Sequence, residues 1–132
     1  MDIDEIANKF IEAINRHDVG AICRLMTEDH AFIDSGGDVY SGIEQMQRAW
    51  KEYFKMFPDY MIEAPEFVVS GDTIILLGKA SGTYTTDGKL RQKNHWQIPA
   101  AWKAVIANDK IKLWQVFADN TQVAEIIEKE SD

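Results

Sequence analysis

The sequence predicts an α+β fold in which a curved, mainly antiparallel sheet wraps around N-terminal helices. Two observations predict it: residues 1–57 carry helical periodicity in three stretches, and β-branched and aromatic residues alternate between turn signals from Tyr60 onward. Helices that precede a run of strands collect on one face of the sheet. The length of 132 residues matches one domain, so we expect residues 1–132 to form a single domain.

Two helices are predicted at the start of the chain. Asp2 and Glu5 are spaced as a capping pair, and a helix with one apolar stripe follows them and ends near His17. The stripe consists of Ile3, Ile6, Ala7, Phe10, Ala13 and Ile14. Asp18 can cap a second, shorter helix that reaches Met26.

An extended segment and the third helix follow. Residues 30–35 are predicted as a strand, residues 36–38 as a turn and residues 39–40 as a further extended piece. Ser41 and Glu44 have the spacing of a capping box. The helix behind them has an aromatic face that is typical of core and can also line a cavity. Its face residues are Ile43, Met46, Trp50, Tyr53, Phe54 and Phe57, and Pro58 ends it.

Four strands in a meander are predicted after residue 60, with a short closing helix over residues 121–129. Turn signals lie at residues 71–72, 87–88 and 108–109. Pro65 and Pro99 each lack a ladder donor, so we expect each at an edge, a bulge or a bend. Small residues on one face of segment 73–84 permit sharp curvature or leave room for a ligand.

Composition excludes several classes of function. The net charge of −8 works against nucleic acid as a partner, and no apolar run is long enough for a membrane span. The acidic N-terminus differs from a secretory signal, so we expect a cytoplasmic location. Cys23 stands alone among apolar residues, which favours an inert thiol. The three histidines have no metal-ligand spacing, so no metal is predicted, and Gly36-Gly37 is too short for a nucleotide-binding motif, so no cofactor is predicted.

The order of these elements and four stretches of residues resemble the nuclear transport factor 2-like superfamily, in particular SnoaL-like polyketide cyclases and proteins related to ketosteroid isomerases. The stretches are residues 10–18, residues 32–34 followed by Ser41-Gly42, residues 57–59, and the sheet pattern from Ala101-Trp102 to Asp119. The resemblance covers essentially the whole chain. It implies a cone-like α+β roll of the cystatin type, a hydrophobic pocket and chemistry without cofactors.

The resemblance also implies site residues. Asp34 stands where ketosteroid isomerases have their catalytic base, and Asp119 stands where SnoaL-like cyclases have an acid/base Asp. The Tyr and Asp of the isomerases' oxyanion hole align with Phe10 and Ala101, which have no side-chain donor, so steroid isomerisation by that mechanism is not expected. Trp50 stands where those enzymes have a pocket Tyr. We expect the ligand to contact Phe10, Trp50, Phe54, Ala101 and Trp114.

Each candidate catalytic residue also has a structural interpretation. Asp34 is either a desolvated general base in an apolar strand or a cap on the following glycine turn. Asp119 is either catalytic or a cap on the terminal helix. His95 points inward if strand alternation places it on the face of Gln97 and Ala101, and is structural otherwise.

Alternation also predicts a homodimer. The apolar residues opposite Ala101 would then lie on the outer sheet face, where they favour burial against a second subunit. They are Trp96, Ile98, Trp102, Ala104 and Ile106. The function we expect is metal-free isomerisation, cyclisation or hydration of a compact apolar substrate. The alternative is a ligand-binding or dimerisation module without catalysis.

Overall fold

The computed structural model describes residues 1–131 and contains four α-helices and one sheet of six strands. The elements in chain order are α1 (Ile3–Asn15), α2 (Val19–Arg24), β1 (Met26–Ile33), β2 (Val39–Ser41), α3 (Ile43–Met56), β3 (Met61–Ser70), β4 (Thr73–Thr83), a 3-10 turn (Gln92–Asn94), β5 (His95–Ala107), β6 (Lys110–Ala118) and α4 (Thr121–Ser131). The predicted α+β architecture is confirmed, as is its mainly antiparallel sheet.

The helix caps differ in part from the predicted ones. Asp18 accepts a hydrogen bond from the backbone N–H of Ala21 at 3.0 Å, which is the predicted cap of α2. Asp2 makes no side-chain cap at α1. At α3 the cap position is Gly42, whose φ of 91° suits glycine, and the predicted capping box does not form. The backbone N–H of Ser41 is instead satisfied by the side chain of Gln45 at 2.9 Å.

The boundary between α2 and β1 lies earlier than predicted. Met26 was expected in the helix, but it is the first residue of β1 and pairs with Ile111 of β6. Residues 30–35 were expected as the strand, whereas β1 covers Met26–Ile33. Sheet pairing decides this, since Met26 is 1% exposed and fills the core from the strand just as it would from a helix.

The strands are ordered β2-β1-β6-β5-β4-β3. The predicted meander corresponds to β3 to β6, and β1 joins β6 in the one parallel pairing of the described sheet. Asn108 and Asp109, at the turn between β5 and β6, both have positive φ near 55°, as a two-residue hairpin turn requires. This order brings the end of β1 beside β6 and close to the start of α3.

A bulge in β3 bends the edge of the sheet. The register between β3 and β4 shifts between Glu63 and Glu66, and Pro65 lies inside this shift, as predicted. Gly78 of β4 passes so close to the bulge that a Cβ there would lie 1.8 Å from the carbonyl oxygen of Glu63. The small residue at this position therefore serves the bulge as well as the curvature of the sheet.

The two faces of β5 are the reverse of those predicted. Its large apolar residues are buried against the helices, whereas His95, Gln97 and Pro99 are exposed and Ala101 is on their outer face. The buried residues are Trp96, Ile98, Ala100, Trp102, Ala104 and Ile106. The period of two was correct, but only the concave face has α1 and α3 to bury indole rings. The residues first assigned to a dimer interface are thus core residues.

No helix within residues 1–131 is both long enough and apolar enough to cross a membrane.

Candidate functional site

A cavity of about 360 Å³ lies between α3 and the concave face of the sheet. From the helix, Met46, Ala49, Trp50 and Tyr53 line it, and from the sheet mainly apolar side chains do. The sheet residues are Phe32, Ala80, Trp96, Ile98, Ala100, Trp102, Trp114, Val116 and Ala118. The volume is within the range of small-molecule sites, and such sites combine apolar walls with few polar groups.

All four tryptophans of the chain line this cavity. The indole nitrogens of Trp50 and Trp96 are buried and have no hydrogen-bond partner. They are the only buried side-chain nitrogen or oxygen atoms without a partner in residues 1–131. Both residues line the same cavity, and buried polar groups normally find a partner, so these two donors call for an explanation.

Two tyrosines lie between these indoles. The rings of Tyr53 and Tyr60 are 4.9 Å apart, and both residues line the cavity. Burial raises the pKa of the Tyr53 phenol well above its usual value. Burial and the neighbouring Tyr53 do the same for the pKa of Tyr60. Both phenols therefore stay protonated and are hydrogen-bond donors at any physiological pH.

Asp34 follows β1 at the rim of the cavity and is half-buried. Its Oδ1 accepts hydrogen bonds from the backbone N–H groups of Gly36 and Asp38, both at 3.0 Å. Its Oδ2 accepts one from the hydroxyl group of Tyr40 at 3.3 Å. The predicted cap on the glycine turn is therefore present, and the second carboxylate oxygen belongs to the polar rim of the cavity.

Three polar residues complete this rim with Asp34. The negative charge of Asp34, followed by the hydrogen bond to it, raises the pKa of the Tyr40 phenol. The side-chain amide of Asn120 donates to the hydroxyl oxygen of Ser35 at 2.6 Å, and both residues line the cavity. This bond leaves one amide hydrogen of Asn120 and the hydroxyl hydrogen of Ser35 as available donors. The rim thus combines one carboxylate with several donors.

Residues 7–114 match the SnoaL-like domain family, which is most of the chain. The chain belongs to the SnoaL-like domain family. No curated protein matches it significantly. Its placement in the nuclear transport factor 2-like superfamily, expected from the sequence, is confirmed.

Solved structures of other SnoaL-like and cystatin-fold proteins have the same architecture. A protein of Shewanella denitrificans assigned as a SnoaL-like polyketide cyclase has a TM-score of 0.82 at 12% identity, with 96% of this chain and 97% of that one covered. AclR of Streptomyces galilaeus, assigned as a hydroxylase, has a TM-score of 0.77 at 15% identity, with 96% of each chain covered. An uncharacterised cystatin-fold protein of Novosphingobium aromaticivorans has a TM-score of 0.74 at 22% identity, with 89% and 98% covered. At these identities the likeness establishes the fold.

Asp119, the acid/base candidate from SnoaL-like cyclases, lies in the exposed connection from β6 to α4. Its Oδ1 accepts bonds from the backbone N–H and the hydroxyl group of Thr121, at 3.0 and 2.6 Å. These bonds lower the pKa of Asp119. The geometry matches the capping interpretation, and Asp119 is not among the residues that line the cavity.

His95 faces away from the cavity of this SnoaL-like domain. The hydroxyl group of Thr83 donates to Oδ2 of Asp59 at 2.7 Å, and Nδ1 of His95 lies 2.9 Å from the same hydroxyl oxygen. Because the single hydroxyl hydrogen of Thr83 is used by Asp59, Nδ1 of His95 carries a hydrogen and donates it. Of the two interpretations of His95, the inward one does not match the structure, since β5 turns its other face to the helices.

The predicted ligand contacts divide into two groups. Trp50 and Trp114 line the cavity. Phe10 is fully buried beneath it, with its ring 4.9 Å from that of Trp114, and Ala101 lies on the outer face of β5. Phe54 stacks on His17 at 4.0 Å between ring centroids, at a surface groove on the other side of α3. These last three are outside the cavity lining.

Sequence reasoning missed Tyr40, Ser35 and Asn120 at the rim, and Trp96 inside. The polar residues lie at the ends of β1, β2 and β6, which the sheet order brings together. The parallel pairing of β1 with β6 was the missing information, and no local pattern shows it. Trp96 was assigned to the outer face by the inverted alternation.

Metal-ligating side chains do not cluster in the described residues. No group of three or more His, Cys, Asp or Glu that could hold an ion occurs within residues 1–131. Burial raises the pKa of the Cys23 thiol, which lowers its thiolate fraction, in keeping with the inert thiol predicted.

Proposed function

We propose that this chain is a small-molecule enzyme of the SnoaL-like kind, which isomerises, cyclises or hydrates a compact, largely apolar substrate by acid/base chemistry that uses no metal. Asp34 is its general base. One observation supports this best: among residues 1–131, Asp34 is the only charged side chain on the wall of a largely apolar cavity of about 360 Å³. A carboxylate beside apolar walls is the usual means of removing a proton from carbon next to a carbonyl group.

The first step follows from the bonding of the carboxylate. Oδ1 remains bonded to the two backbone N–H groups of the turn, so Oδ2 takes the proton from the substrate. The C–H electron pair forms the enolate double bond, and the carbonyl oxygen takes the negative charge. The available donors of Ser35 and Asn120 lie at the same rim and receive this oxygen. Return of the proton to another carbon completes an isomerisation.

The test is deuterium exchange into 2-tetralone, a compact ketone with acidic hydrogens at C1. In D2O, the enzyme is expected to replace these hydrogens faster than buffer does, as followed by proton NMR. Asp34→Asn is expected to reduce the rate to that of buffer. Asp38→Asn is the matched control, because it changes a carboxylate of the same turn but keeps the backbone N–H that bonds to Asp34. A rate unaffected by Asp34→Asn would refute the proposal.

The alternative function is ligand binding without catalysis. It is favoured by one observation: Phe10 and Ala101, aligned with the donors of ketosteroid isomerases, lie outside the cavity lining. Tight binding of 2-tetralone without any exchange above the buffer rate would support this alternative.

We also propose a homodimer through the outer face of the sheet, with a set of residues other than the one predicted. Leu77 of β4, Val68 of β3 and Phe117 of β6 are 40%, 61% and 51% exposed on that face. Glu66 and Lys103 lie on the same face and make no ion pair within residues 1–131. A two-fold axis pairs a face with its own copy, so opposite charges beside an apolar centre fit a second copy of this chain.

Light scattering after size exclusion tests the dimer. The chain has a mass of 15.1 kDa, and twice this mass is expected at micromolar concentration. Phe117→Glu is expected to give the monomer, while Leu90→Glu, an equally exposed residue of the β4–β5 connection, keeps the dimer. A monomeric wild-type chain would overturn the proposal. The cytoplasmic location remains a prediction from the sequence.

A further inference from the structure

We propose that the end of the cavity remote from Asp34 is a binding subsite for a neutral oxygen atom of the ligand, with the indole N–H groups of Trp50 and Trp96 as its donors. The substrate then carries an oxygen acceptor at the end opposite the carbon that Asp34 deprotonates. This inference rests on the proposed function only in taking the same cavity as the substrate site.

The first argument is the unsatisfied state of both indoles. Trp50 is 7% exposed and Trp96 is 2% exposed, and neither Nε1 has an acceptor in the described residues. A buried donor without an acceptor has given up its hydrogen bond to water and gained none in return. An acceptor brought by the ligand removes this deficit, whereas an apolar ligand leaves it in place. The binding energy of the cavity therefore favours ligands with an oxygen here.

The second argument is that the two indoles belong to one cluster. Ring centroids are 6.0 Å apart from Trp50 to Tyr53, 4.9 Å from Tyr53 to Tyr60 and 6.2 Å from Tyr60 to Trp96. All four residues line the cavity, and each has an N–H or O–H group. We call these four residues the donor cluster. Donors are thus concentrated in one region of an otherwise apolar wall.

The third argument is the position of the donor cluster relative to Asp34. Asp34 follows Ile33, which pairs with Gln115, so Asp34 is level with the next residue of β6, Val116. Val116 in turn pairs with Trp102 of β5. Trp96 is six residues from Trp102 along β5, a contour of about 20 Å for an extended strand. The carboxylate therefore lies at the end of the cavity opposite Trp96, the member of the donor cluster on β5.

Helix α3 follows the same direction. It begins beside β1, where the backbone N–H of Gly42 donates to the carbonyl oxygen of His30, and ends where Thr85 donates to the carbonyl oxygen of Met56. Its cavity residues run from Met46 at the Asp34 end to Tyr53 at the other. A ligand that binds at both ends therefore spans the length of the cavity.

The charge of the site determines which oxygen fits. No Lys, Arg or His is among the residues that line the cavity, and the chain has a net charge of −8. Indole and phenol donors carry no charge that would compensate a buried carboxylate or phosphate. The ligand oxygen is therefore an ether, hydroxyl or carbonyl oxygen.

A pair of ketones of matched shape tests the subsite. 6-(4-Methoxyphenyl)-2-tetralone has an ether oxygen two aromatic rings away from its C1, and 6-(4-ethylphenyl)-2-tetralone has a methylene group in its place. Calorimetry is expected to give between about two- and tenfold tighter binding of the methoxy compound, the usual effect of one neutral hydrogen bond. Equal affinities, or the absence of binding by both ketones at millimolar concentration, would overturn the inference.

The variants are designed to keep the rings. Trp50→Phe and Trp96→Phe each remove an indole N–H but leave an aromatic side chain. In the variant that lacks the N–H bonded to the ligand oxygen, the ratio of the affinities for the methoxy and ethyl compounds is expected to fall to about one. Trp102→Phe is the matched control, since it makes the same change in the same cavity and spares both N–H groups of the subsite. A preference unchanged in both of the first two variants would refute the assignment.

A spectroscopic measurement on the wild-type chain covers the case in which a variant does not fold. The indole Hε1 resonance of Trp50 or Trp96 is expected to shift further downfield with the methoxy compound than with the ethyl compound. Shifts that are the same with both ligands count against the subsite.

The two proposals fail separately. Absence of deuterium exchange with a retained methoxy preference would end the catalytic proposal and leave the subsite in place. Exchange that depends on Asp34 but shows no methoxy preference would end the subsite alone. Asp34→Asn is expected to leave the preference unchanged, because Asp34 lies at the other end of the cavity.

Discussion

The hydroxyl group of Tyr40 donates a hydrogen bond of 3.3 Å to Oδ2 of Asp34, the oxygen that the turn leaves free. The two residues flank the turn between β1 and β2, and both line the cavity. A proton that reaches Oδ2 from a substrate therefore arrives beside a phenol. The charge of one residue also controls the ionisation of the other.

Asp34→Asn is expected to lower the pKa of Tyr40. The charge of Asp34 is the main reason that this pKa is raised, and the asparagine side chain has no charge. NMR titration of 13Cζ-labelled tyrosine measures the change, with Asp72→Asn, on an exposed turn, as the control. An unchanged midpoint for Tyr40 would contradict the observed pairing.

His30 is expected to destabilise the fold in acid. It is 1% exposed, its Nδ1 lies 2.7 Å from the carbonyl oxygen of Ile111, and burial lowers its pKa. Between the usual pKa of 6.5 and the lower value in the fold, only the unfolded chain takes up the proton, so stability is lost as the pH falls below about 6.5.

Urea unfolding at several pH values tests the role of His30. The loss can reach about 1.4 kcal/mol per pH unit within this window. His30→Asn keeps a donor for Ile111 but does not titrate, so its free energy of unfolding should fall less steeply than that of wild type. Gln97→Asn, at an exposed residue of β5 that has no titratable group, is the control and should keep the wild-type slope. Equal slopes for wild type and His30→Asn would disprove the prediction.

Gly78→Ala is expected to destabilise the fold by about 3 kcal/mol, at the upper end for an added methyl group, because the new Cβ would meet the backbone of Glu63. That Cβ would lie 1.8 Å from the carbonyl oxygen, and a backbone atom cannot rotate away as a side chain can. The control is Gly20→Ala in α2, where the nearest atom is the mobile end of Arg24 at 3.2 Å. Thermal unfolding compares the two, and equal midpoints would mean that the bulge can move.

Asp119→Ala is expected to loosen the start of α4 and to leave deuterium exchange into 2-tetralone unchanged. The carboxylate bonds only to Thr121 in the described contacts. Amide hydrogen exchange at the first turn of α4 should become faster. If the variant loses the exchange activity instead, Asp119 reaches the substrate and its capping role is secondary.

Local patterns predicted much of the fold but not the pairing of distant strands. The stripe of α1, the aromatic face of α3 and the turn at Asn108-Asp109 depend on neighbours within a few residues, and each is present. The parallel pairing of β1 with β6 joins Phe32 to Trp114, two residues that are far apart in the sequence. No period of two or 3.6 encodes such a contact.

The site residues divide in the same way, into those that local patterns indicate and those that the sheet order brings together. Asp34 was found because its residue type and position match a known pattern, whereas Tyr40 and Asn120 reach the rim through the sheet order. The orientation of His95 depended on which face of β5 the helices cover, and alternation alone does not say which face that is.

The position of every tryptophan on the wall of one cavity gives the protein a built-in optical reporter. Its ultraviolet-excited emission comes mainly from indoles that any occupant must touch. A molecule entering the cavity alters the polarity around these rings or quenches them, whereas one that binds on the outer surface leaves them in the same surroundings. Candidate compounds can therefore be screened on the unlabelled chain by the emission wavelength and intensity of its tryptophan fluorescence.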